Sequence, residues 1–235
     1  MQKGQIRKIK CIRIESDARI LRDEIIATEK SMTLFVNNKR ETSFFYSRGF
    51  EKELVIGYLL SSGRVRDLKE VNDFQITEAR CKVSITEEVR NLEGSTRGIT
   101  ELRFPQLIET RKILLRNQQN HLATRGFHGA IIYEIPTENW FFCEDIGRHN
   151  AVDKVIGNFV EKSYVLPDSV LLTTGRLTSN IVAKGKNASL AVLASMSVAT
   201  DRAIETAKKA GITLIGGLTE NSCWLYNEGA TKLIT

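Results

Sequence analysis

The densest group of chemically useful side chains in this sequence stands at residues 144–154. The stretch reads Glu144-Asp145-Ile146-Gly147-Arg148-His149-Asn150-Ala151-Val152-Asp153-Lys154. It combines carboxylates, cations, an imidazole and a carboxamide around one glycine, and an ordinary helix needs no such mixture in order to start. We therefore interpret the stretch as a candidate binding site.

The residues on either side place this group at a turn between a strand and a helix. Residues 140–143 are apolar and typical of a short strand, whereas Val152, Ile156 and Phe159 recur at the spacing of a helix. The polar side chains therefore lie where the strand ends and the helix begins.

The first turn of that helix is a candidate anion site. If the helix begins near Gly147, Arg148 and His149 lie where free backbone N–H groups and the helix dipole favour an anionic ligand. Asp153 follows His149 by four residues, so its carboxylate can hold the imidazole in one tautomer. The alternative is a capped amphipathic helix in which this pair contributes only about 0.2–0.5 kcal/mol.

The second half of the chain alternates between strand and helix patterns. Besides the helix after Gly147, we predict strands at 130–135, 139–143, 169–174, 190–194 and 212–215, and helices at 178–187 and 200–211. This alternation predicts an α/β layer structure with a mostly parallel sheet in a domain of residues 126–235.

The first half predicts a smaller α+β domain of residues 1–125. We predict a β unit up to about residue 40, a helix at 50–60, strands near 73–77 and 82–86, and a linking helix at 109–124. Polar and glycine residues predict a flexible loop near 91–101. Charge and pattern change near Gly126, which places the domain boundary there.

Further loops are expected to meet the turn at residues 144–148. In an open sheet, ligands bind beyond the carboxyl ends of the strands. The loops predicted there contain Gly175-Arg176, residues 195–200 and residues 216–222. Glycine lets the backbone approach a phosphate, and the planar arginine fork suits a phosphate or a purine edge. The sequence therefore predicts a nucleotide-sized site.

The overall composition limits the function classes. The 34 Lys and Arg residues exceed the 28 Asp and Glu residues, and the net charge of +6 is spread along the chain, which indicates anionic partners only weakly. Cys11, Cys81, Cys143 and Cys223 form no C-x-x-C pair, so neither a disulfide framework nor zinc spacing is expected. No apolar run approaches the roughly 20 residues that span a bilayer. We expect a cytoplasmic protein with no membrane partner.

Several motifs are shared with one known family. In the second half they are residues 126–130 (Gly-Phe-His-Gly-Ala), 144–157, 175–176 and 210–216, and weaker ones stand at 23–29, 36–37 and 53–60. The long motif at 144–157 is the most specific, and the similarity covers most of the chain. On these motifs the sequence resembles the FdhD/NarQ family, the formate dehydrogenase accessory proteins.

The resemblance implies a cytoplasmic maturation factor for a molybdenum or tungsten formate dehydrogenase. Family members accept sulfur from a cysteine desulfurase as a cysteine persulfide and pass it to the molybdenum bis(molybdopterin guanine dinucleotide) cofactor. The implied partners are the desulfurase, the catalytic subunit of formate dehydrogenase and a second copy in a homodimer. The implied fold of the C-terminal domain is similar to that of cytidine deaminases, without their zinc.

The motifs and the predicted loops together give the candidate cofactor-binding residues, and a GDP-like guanine nucleotide is expected to bind them. The candidates are His128, Asp145, Gly147, Arg148, His149, Asn150, Asp153, Lys154, Gly175, Arg176, Gly217, Leu218, Thr219, Glu220, Asn221 and Ser222. The resemblance assigns the last six to a cofactor-binding segment. That segment lacks the basic residues that family members often carry there.

The sequence departs from the family where sulfur is carried. The family pattern is Ser-Ser-Cys-Gly-x-Cys-Gly, and residues 95–101 here have Arg97 and Thr100 at the two cysteine positions. Neither side chain can form a persulfide, because that chemistry needs a thiolate. Cys143 and Cys223 are the candidate substitutes near the site, although Cys143 ends an apolar strand, where burial raises a thiol pKa. Otherwise the protein is a cofactor-binding or insertion chaperone without sulfur transfer.

Two other functions fit the residues poorly. A zinc deaminase needs a C-x-x-C pair and a glutamate two residues after its histidine ligand, and His128-Gly129-Ala130 supplies neither. Nucleic-acid binding would rest on charge alone, because no aromatic-basic RNA motif is present. We expect no zinc and no nucleic-acid partner.

Overall fold

The computed structural model describes residues 4–86 and 98–235. The strands are β1 (Ile6–Ile14), β2 (Arg19–Ala27), β3 (Lys30–Val36), β4 (Lys39–Tyr46), β5 (Val71–Ile76), β6 (Arg80–Ile85), β7 (Glu101–Arg103), β8 (His128–Glu134), β9 (Trp140–Asp145), β10 (Ser169–Thr173), β11 (Val192–Ser195), β12 (Thr213–Gly216), β13 (Trp224–Asn227) and β14 (Lys232–Ile234). The helices are α1 (Glu51–Ser61), α2 (Phe104–Asn117), α3 (Gln119–Thr124), α4 (Arg148–Glu161), α5 (Ser179–Asn187) and α6 (Asp201–Ala210).

The N-terminal half forms a four-stranded sheet and a separate hairpin. The sheet has the order β4-β3-β6-β5, with β3 antiparallel to β4 and parallel to β6. Asn37 and Asn38 both adopt positive φ in the turn between β3 and β4, a conformation that asparagine tolerates. Among the described residues, β1 and β2 pair only with each other.

The central sheet is mixed, so the prediction of a mostly parallel sheet is wrong. Its order is β13-β12-β11-β10-β8-β9, and only the pairs β10–β11 and β11–β12 are parallel. β8 is antiparallel to both of its neighbours, and β13 is antiparallel to β12. The connections that join β8 to β9 and β12 to β13 are too short for the crossover that a parallel pair requires.

The predicted linking helix at 109–124 is two helices, α2 and α3, which are separated at Gln118. The reason is a tertiary contact. Both carboxylate oxygens of Glu144 accept hydrogen bonds from the backbone N–H groups of Asn120 (2.9 Å) and His121 (2.7 Å), and so cap a new helix there.

None of the helices in the described parts of the chain has both the length and the apolar character needed to cross a bilayer.

One hydrophobic core crosses the predicted boundary at Gly126. It contains Leu54 and Leu59 of α1 together with Val152 and Ile156 of α4. The division into domains of residues 1–125 and 126–235 stays a prediction.

Helices α1 and α4 approach each other through two glycines. A methyl group on Gly57 would lie 1.8 Å from the Asp153 carbonyl oxygen, and one on Gly157 would lie 2.0 Å from the Glu53 carbonyl oxygen. Because only glycine allows the two backbones to come this close, these residues fix the position of α4, which carries the candidate site.

Candidate functional site

The carboxyl ends of β9, β10, β11 and β12 lie on one edge of the central sheet. β9 and β10 are both antiparallel to β8, which lies between them, and β10, β11 and β12 are parallel to one another. Hydrogen bonds join the loops that follow: Ser195 Oγ donates to the Gly175 carbonyl and Gly217 N–H donates to the Ser197 carbonyl, both at 2.7 Å. The predicted placement of these loops at one edge of the sheet is confirmed, and their contribution to a single ligand site stays a prediction.

The first turn of α4 opens into a cleft of about 430 Å³, a size within the usual range of ligand sites. Gly147 is the N-cap, so α4 begins where the sequence predicts. Residues of β4, α1 and α5 complete the walls. The lining residues are Thr42, Ser43, Phe44, Phe45, Tyr58, His128, Ile146, Gly147, Arg148, His149, Asn150, Asp153 and Lys184.

Asp145 lies beneath the cleft and fixes the chain segments around it. Its Oδ2 atom accepts hydrogen bonds from the backbone N–H and the hydroxyl of Ser47, both at 3.1 Å. Its Oδ1 atom accepts from Gly147 N–H at 2.9 Å and from Asn150 Nδ2 at 3.0 Å. Asp145 therefore joins the end of β4 to the start of α4.

Lys154 completes this buried group. Its Nζ atom lies 2.7 Å from Asp145 Oδ2 and donates to the Ser47 carbonyl at 2.8 Å, and both charged side chains are 0% exposed. Asp145 and Lys154, which the sequence predicts to bind the cofactor, thus stabilise the walls of the cleft from the protein interior. Their direct contact with a ligand stays a prediction.

Asp153 does not orient His149, so that interpretation is wrong. Lys184 Nζ donates to both oxygens of Asp153 at 2.7 Å, and Ser61 Oγ donates to Oδ1 at 2.6 Å. No hydrogen bond joins His149 to Asp153, although the structure describes both residues. The carboxylate instead turns toward α1 and α5, where a lysine from a distant part of the sequence neutralises it.

The two histidines of the cleft are held in the neutral form. Burial lowers the pKa of His149 to about 4, and the nearby Lys184 and Arg148 act in the same direction. Burial, followed by Arg148, also lowers the pKa of His128. Neutral imidazoles offer one hydrogen-bond donor and one acceptor each, so they can orient a ligand without adding charge.

Among the described residues that line the cleft, Arg148 is the cation without an ion-pair partner. Its Nε atom is buried and has no hydrogen-bond partner among the described residues, whereas Lys184 is already paired with Asp153. Gly175 gives the arginine its room, since a methyl group there would lie 2.9 Å from Arg148 Cβ and Cδ. With its neutral histidines and paired aspartate, the cleft favours an anionic group.

A second cavity of about 290 Å³ adjoins the cleft. It shares His128 and Ile146 with the cleft and is also lined by His121, Arg125 and Thr174. A ligand with two lobes therefore has continuous polar surface on both sides of His128.

The predicted C-terminal segment lies at the same sheet edge but outside the cleft. Gly217 adopts a φ of +58°, and Thr219 and Ser222 close an exposed turn through hydroxyls 2.8 Å apart. The segment follows β12, whereas Arg148 contacts Gly175, which follows β10. β10 and β12 are two strand spacings apart, which is about 10 Å, so a ligand that contacts both Arg148 and residues 217–222 must extend beyond the cleft. Arg176 is likewise exposed beside the cleft rather than in its wall, and the binding role of both regions stays a prediction.

Thr100 lies near the amino ends of the strands, whereas the cleft lies at their carboxyl ends. The Thr100 carbonyl accepts from Lys232 N–H at 2.8 Å, and the neighbouring Thr231 carbonyl accepts from Thr213 Oγ1 at the amino end of β12. The length of the strands therefore separates Thr100 from the cleft. Arg97, with residues 87–96, lies outside the described residues, so the flexible loop stays a prediction.

Cys81, Cys143 and Cys223 are all at least partly buried. Cys143 is buried, and burial raises its pKa to about 12. Burial has the same effect on Cys81. Cys223 is partly buried, which also raises its pKa. These thiols stay protonated at neutral pH and are poor nucleophiles.

Sequence reasoning missed the wall that the N-terminal half contributes. Thr42, Ser43, Phe45 and Tyr58 line the cleft, and Lys184 reaches it from α5. The exposed ring of Phe45, 61% accessible, gave only a weak signal as an apolar residue in a polar strand.

Within residues 4–86 and 98–235, no three His, Cys, Asp or Glu residues cluster as metal ligands would. The expectation of no zinc stays a prediction.

Known proteins match almost the whole chain. The sulfur carrier protein FdhD of Sulfolobus acidocaldarius is 30% identical, over 94% of this chain and 96% of that protein. Protein FdhD of Methanocaldococcus jannaschii is 30% identical over 88% of this chain and 90% of its own length. A crystal structure described as a formate dehydrogenase accessory protein from Desulfotalea psychrophila shares the fold, with a TM-score of 0.84, 23% identity, and coverage of 95% of this chain and 97% of that one.

The match to the family pattern extends over both halves of the cleft. The sequence model described as FdhD/NarQ family matches residues 27–104 and 96–233, which include β4, α1, α4 and α5. The relatives, the shared fold and this match agree, and the chain belongs to the FdhD/NarQ family.

Proposed function

We propose that the protein is an accessory factor for formate dehydrogenase that binds a guanylated molybdenum cofactor as its cargo. The observation that carries the proposal is the cleft at the start of α4, where Arg148 has a buried Nε atom without a partner. A phosphate group is an anion that both an arginine and a helix N-terminus can bind, and a diphosphate offers two of them.

The rest of the cleft fits a nucleotide. The accessible ring of Phe45 offers a flat apolar surface to a base, and the neutral His128 and His149 offer hydrogen bonds without competing for the phosphates. The adjoining cavity leaves room for a molecule longer than a mononucleotide, and the segment at 217–222 lies at the same edge of the sheet. A cofactor that carries guanine dinucleotide arms is such a molecule.

Other parts of the proposal rest on family membership alone. They are a cytoplasmic location, a desulfurase and a formate dehydrogenase catalytic subunit as partners, a homodimer, and a cytidine-deaminase-like layering of residues 126–235 without zinc. The relatives named sulfur carrier proteins support the maturation role in general terms.

Arg148→Met should weaken GDP binding by about tenfold to a hundredfold in isothermal titration, because a charge-assisted hydrogen bond contributes about 1.5–3 kcal/mol. Lys112→Met removes the same charge from the exposed face of α2 and should leave binding unchanged. His149→Ala should reduce the favourable free energy of GDP binding by more than it lowers the free energy of unfolding. Equal affinities for the wild type and Arg148→Met, or no binding of GDP at millimolar concentration, would overturn the proposed function.

A second candidate concerns sulfur. The names of the relatives favour a sulfur carrier, but this chain has Arg97 and Thr100 at the family's cysteine positions, and burial, complete for Cys143 and partial for Cys223, raises the pKa of both thiols. We therefore propose that it carries or inserts the cofactor without holding sulfur itself.

Incubation with a cysteine desulfurase and cysteine should leave the intact mass of the protein unchanged. A persulfide would add about 32 daltons for each sulfur atom. The double variant Arg97→Cys, Thr100→Cys restores the family's thiols and serves as the matched control, in which added mass should appear. Stoichiometric added mass on the wild type would instead assign sulfur transfer to one of its own cysteines.

A further inference from the structure

The β1–β2 hairpin exposes apolar side chains on one face and a free backbone edge. Leu21 is 64% and Ile25 is 42% exposed, and both project on the same face as Ile12 and Ile14, which are also exposed. A two-stranded ribbon is marginally stable alone, and an unpaired strand edge is a template for another strand. This hairpin therefore has the features of a pairing surface.

The alternating ladder shows which groups of β2 are free. The hydrogen bonds from Thr28 N–H to the Gln5 carbonyl and from Glu15 N–H to the Ala18 carbonyl bracket the hairpin. In an antiparallel pair, hydrogen-bonded and non-hydrogen-bonded positions alternate. The residue pairing then directs the backbone groups of Leu21, Asp23 and Ile25 away from β1.

These three residues form a symmetric set. If a second β2 pairs antiparallel about a two-fold axis at Asp23, Leu21 faces Ile25 of the other copy, and Ile25 faces its Leu21. The three facing pairs would make about six backbone hydrogen bonds, two for each pair. The two most exposed apolar side chains of β2 would then cover each other.

The charges of β2 match the same register. Arg22 faces Glu24 of the other copy twice, and neither residue has an ion-pair partner within the described parts of its own chain. Asp23 would face Asp23 at the axis, but Lys8 and Lys10 of the same hairpin already neutralise each one, at 2.8 and 3.3 Å. Opposite charges and apolar pairs directly across a ladder are stabilising.

The neighbouring registers of β2, and the free edge of β1, lack this match of opposite charges and apolar residues. Centring the axis on Arg22 or Glu24 places like charges opposite each other without the neutralising lysines. β1 carries Arg7, Lys8, Lys10 and Arg13 and no carboxylate, so its own edge would place cations against cations or apolar residues. Lysines and arginines on an edge strand commonly block pairing.

We propose that two copies of this chain associate through antiparallel pairing of β2 with β2 about Asp23, which gives a continuous four-stranded sheet. An isologous interface of this kind closes on itself as a dimer. The proposal gives a surface to the homodimer expected from the family, and it does not depend on what the cleft binds, because no hairpin residue lines the cleft.

Charge reversal tests the register on the full-length protein. Sedimentation equilibrium with reductant present, from about 1 to 100 µM, should give the wild type twice its chain mass of 26.5 kDa. Arg22→Glu should weaken the dimer at least about tenfold, because the introduced carboxylate would face Glu24 of the other copy at both sites. Glu24→Arg should have the same effect, and the double variant Arg22→Glu, Glu24→Arg should restore the dimer.

The outcomes separate this proposal from the proposed function. A monomeric wild type at about 100 µM, or single variants that dimerise like the wild type, would overturn the β2 interface. Failure of the double variant to restore the dimer while circular dichroism shows a folded chain would also overturn the register. GDP titration of Arg22→Glu should match the wild type, so a defect in the dimer and a defect in the cleft are distinguishable.

Discussion

Gly157→Ala is expected to lower the free energy of unfolding by about 3 kcal/mol or more, the upper range for overpacked cores. The added methyl group would lie 2.0 Å from the Glu53 carbonyl oxygen, and a backbone atom cannot turn aside as a side chain can. Relief requires α4 to move away from α1, which would also shift Arg148 and open the cleft. Urea unfolding and GDP titration of the same variant measure both effects.

Gly185→Ala is the matched control. The atoms nearest to its methyl group would belong to the side chain of Leu193, the first at 2.7 Å, and a side chain can change rotamer. In a helix interior alanine is favoured over glycine by about 1 kcal/mol, so this variant should lose little stability. If Gly157→Ala and Gly185→Ala were equally stable, the close approach of α1 and α4 would have no energetic role.

Asp145→Ala is expected to cost about 3–5 kcal/mol, since it leaves Lys154 as an unpaired charge in the interior. It also removes the acceptor for Ser47, Gly147 and Asn150. The start of α4 should then be held less firmly against β4, and GDP binding should fall with stability. Denaturant unfolding monitored by circular dichroism measures the first effect and calorimetry the second.

Glu161→Ala breaks a contrasting ion pair at the other end of α4. Glu161 pairs with Lys52 at the surface, where such pairs contribute about 0–1 kcal/mol. The loss should therefore be small and GDP binding unchanged. An equal loss for Asp145→Ala and Glu161→Ala would mean that burial adds nothing to the Asp145–Lys154 pair.

Local patterns predicted the individual elements well. The strand before Glu144, the helix that starts after Gly147, and α6 with its Thr200 cap and Gly211 in the left-handed conformation all follow from capping and periodicity. These signals lie within a few residues of the element they define, so a single sequence contains them.

Long-range contacts account for what the sequence did not predict. The break between α2 and α3 depends on Glu144, which is distant in sequence from residue 118. The partner of Asp153 is Lys184 rather than the nearby His149, because the chain brings α5 against α4. Five of the cleft residues come from β4 and α1, and the glycine contacts between α1 and α4 set the position of α1 against α4.

The six-stranded sheet places Thr100 and the cleft at opposite ends of its strands. A ligand that fills the cleft therefore leaves the backbone around Thr100 uncovered. Any chemical group that moves from one end of the strands to the other must pass around the sheet, because the packed strands lie between the two positions.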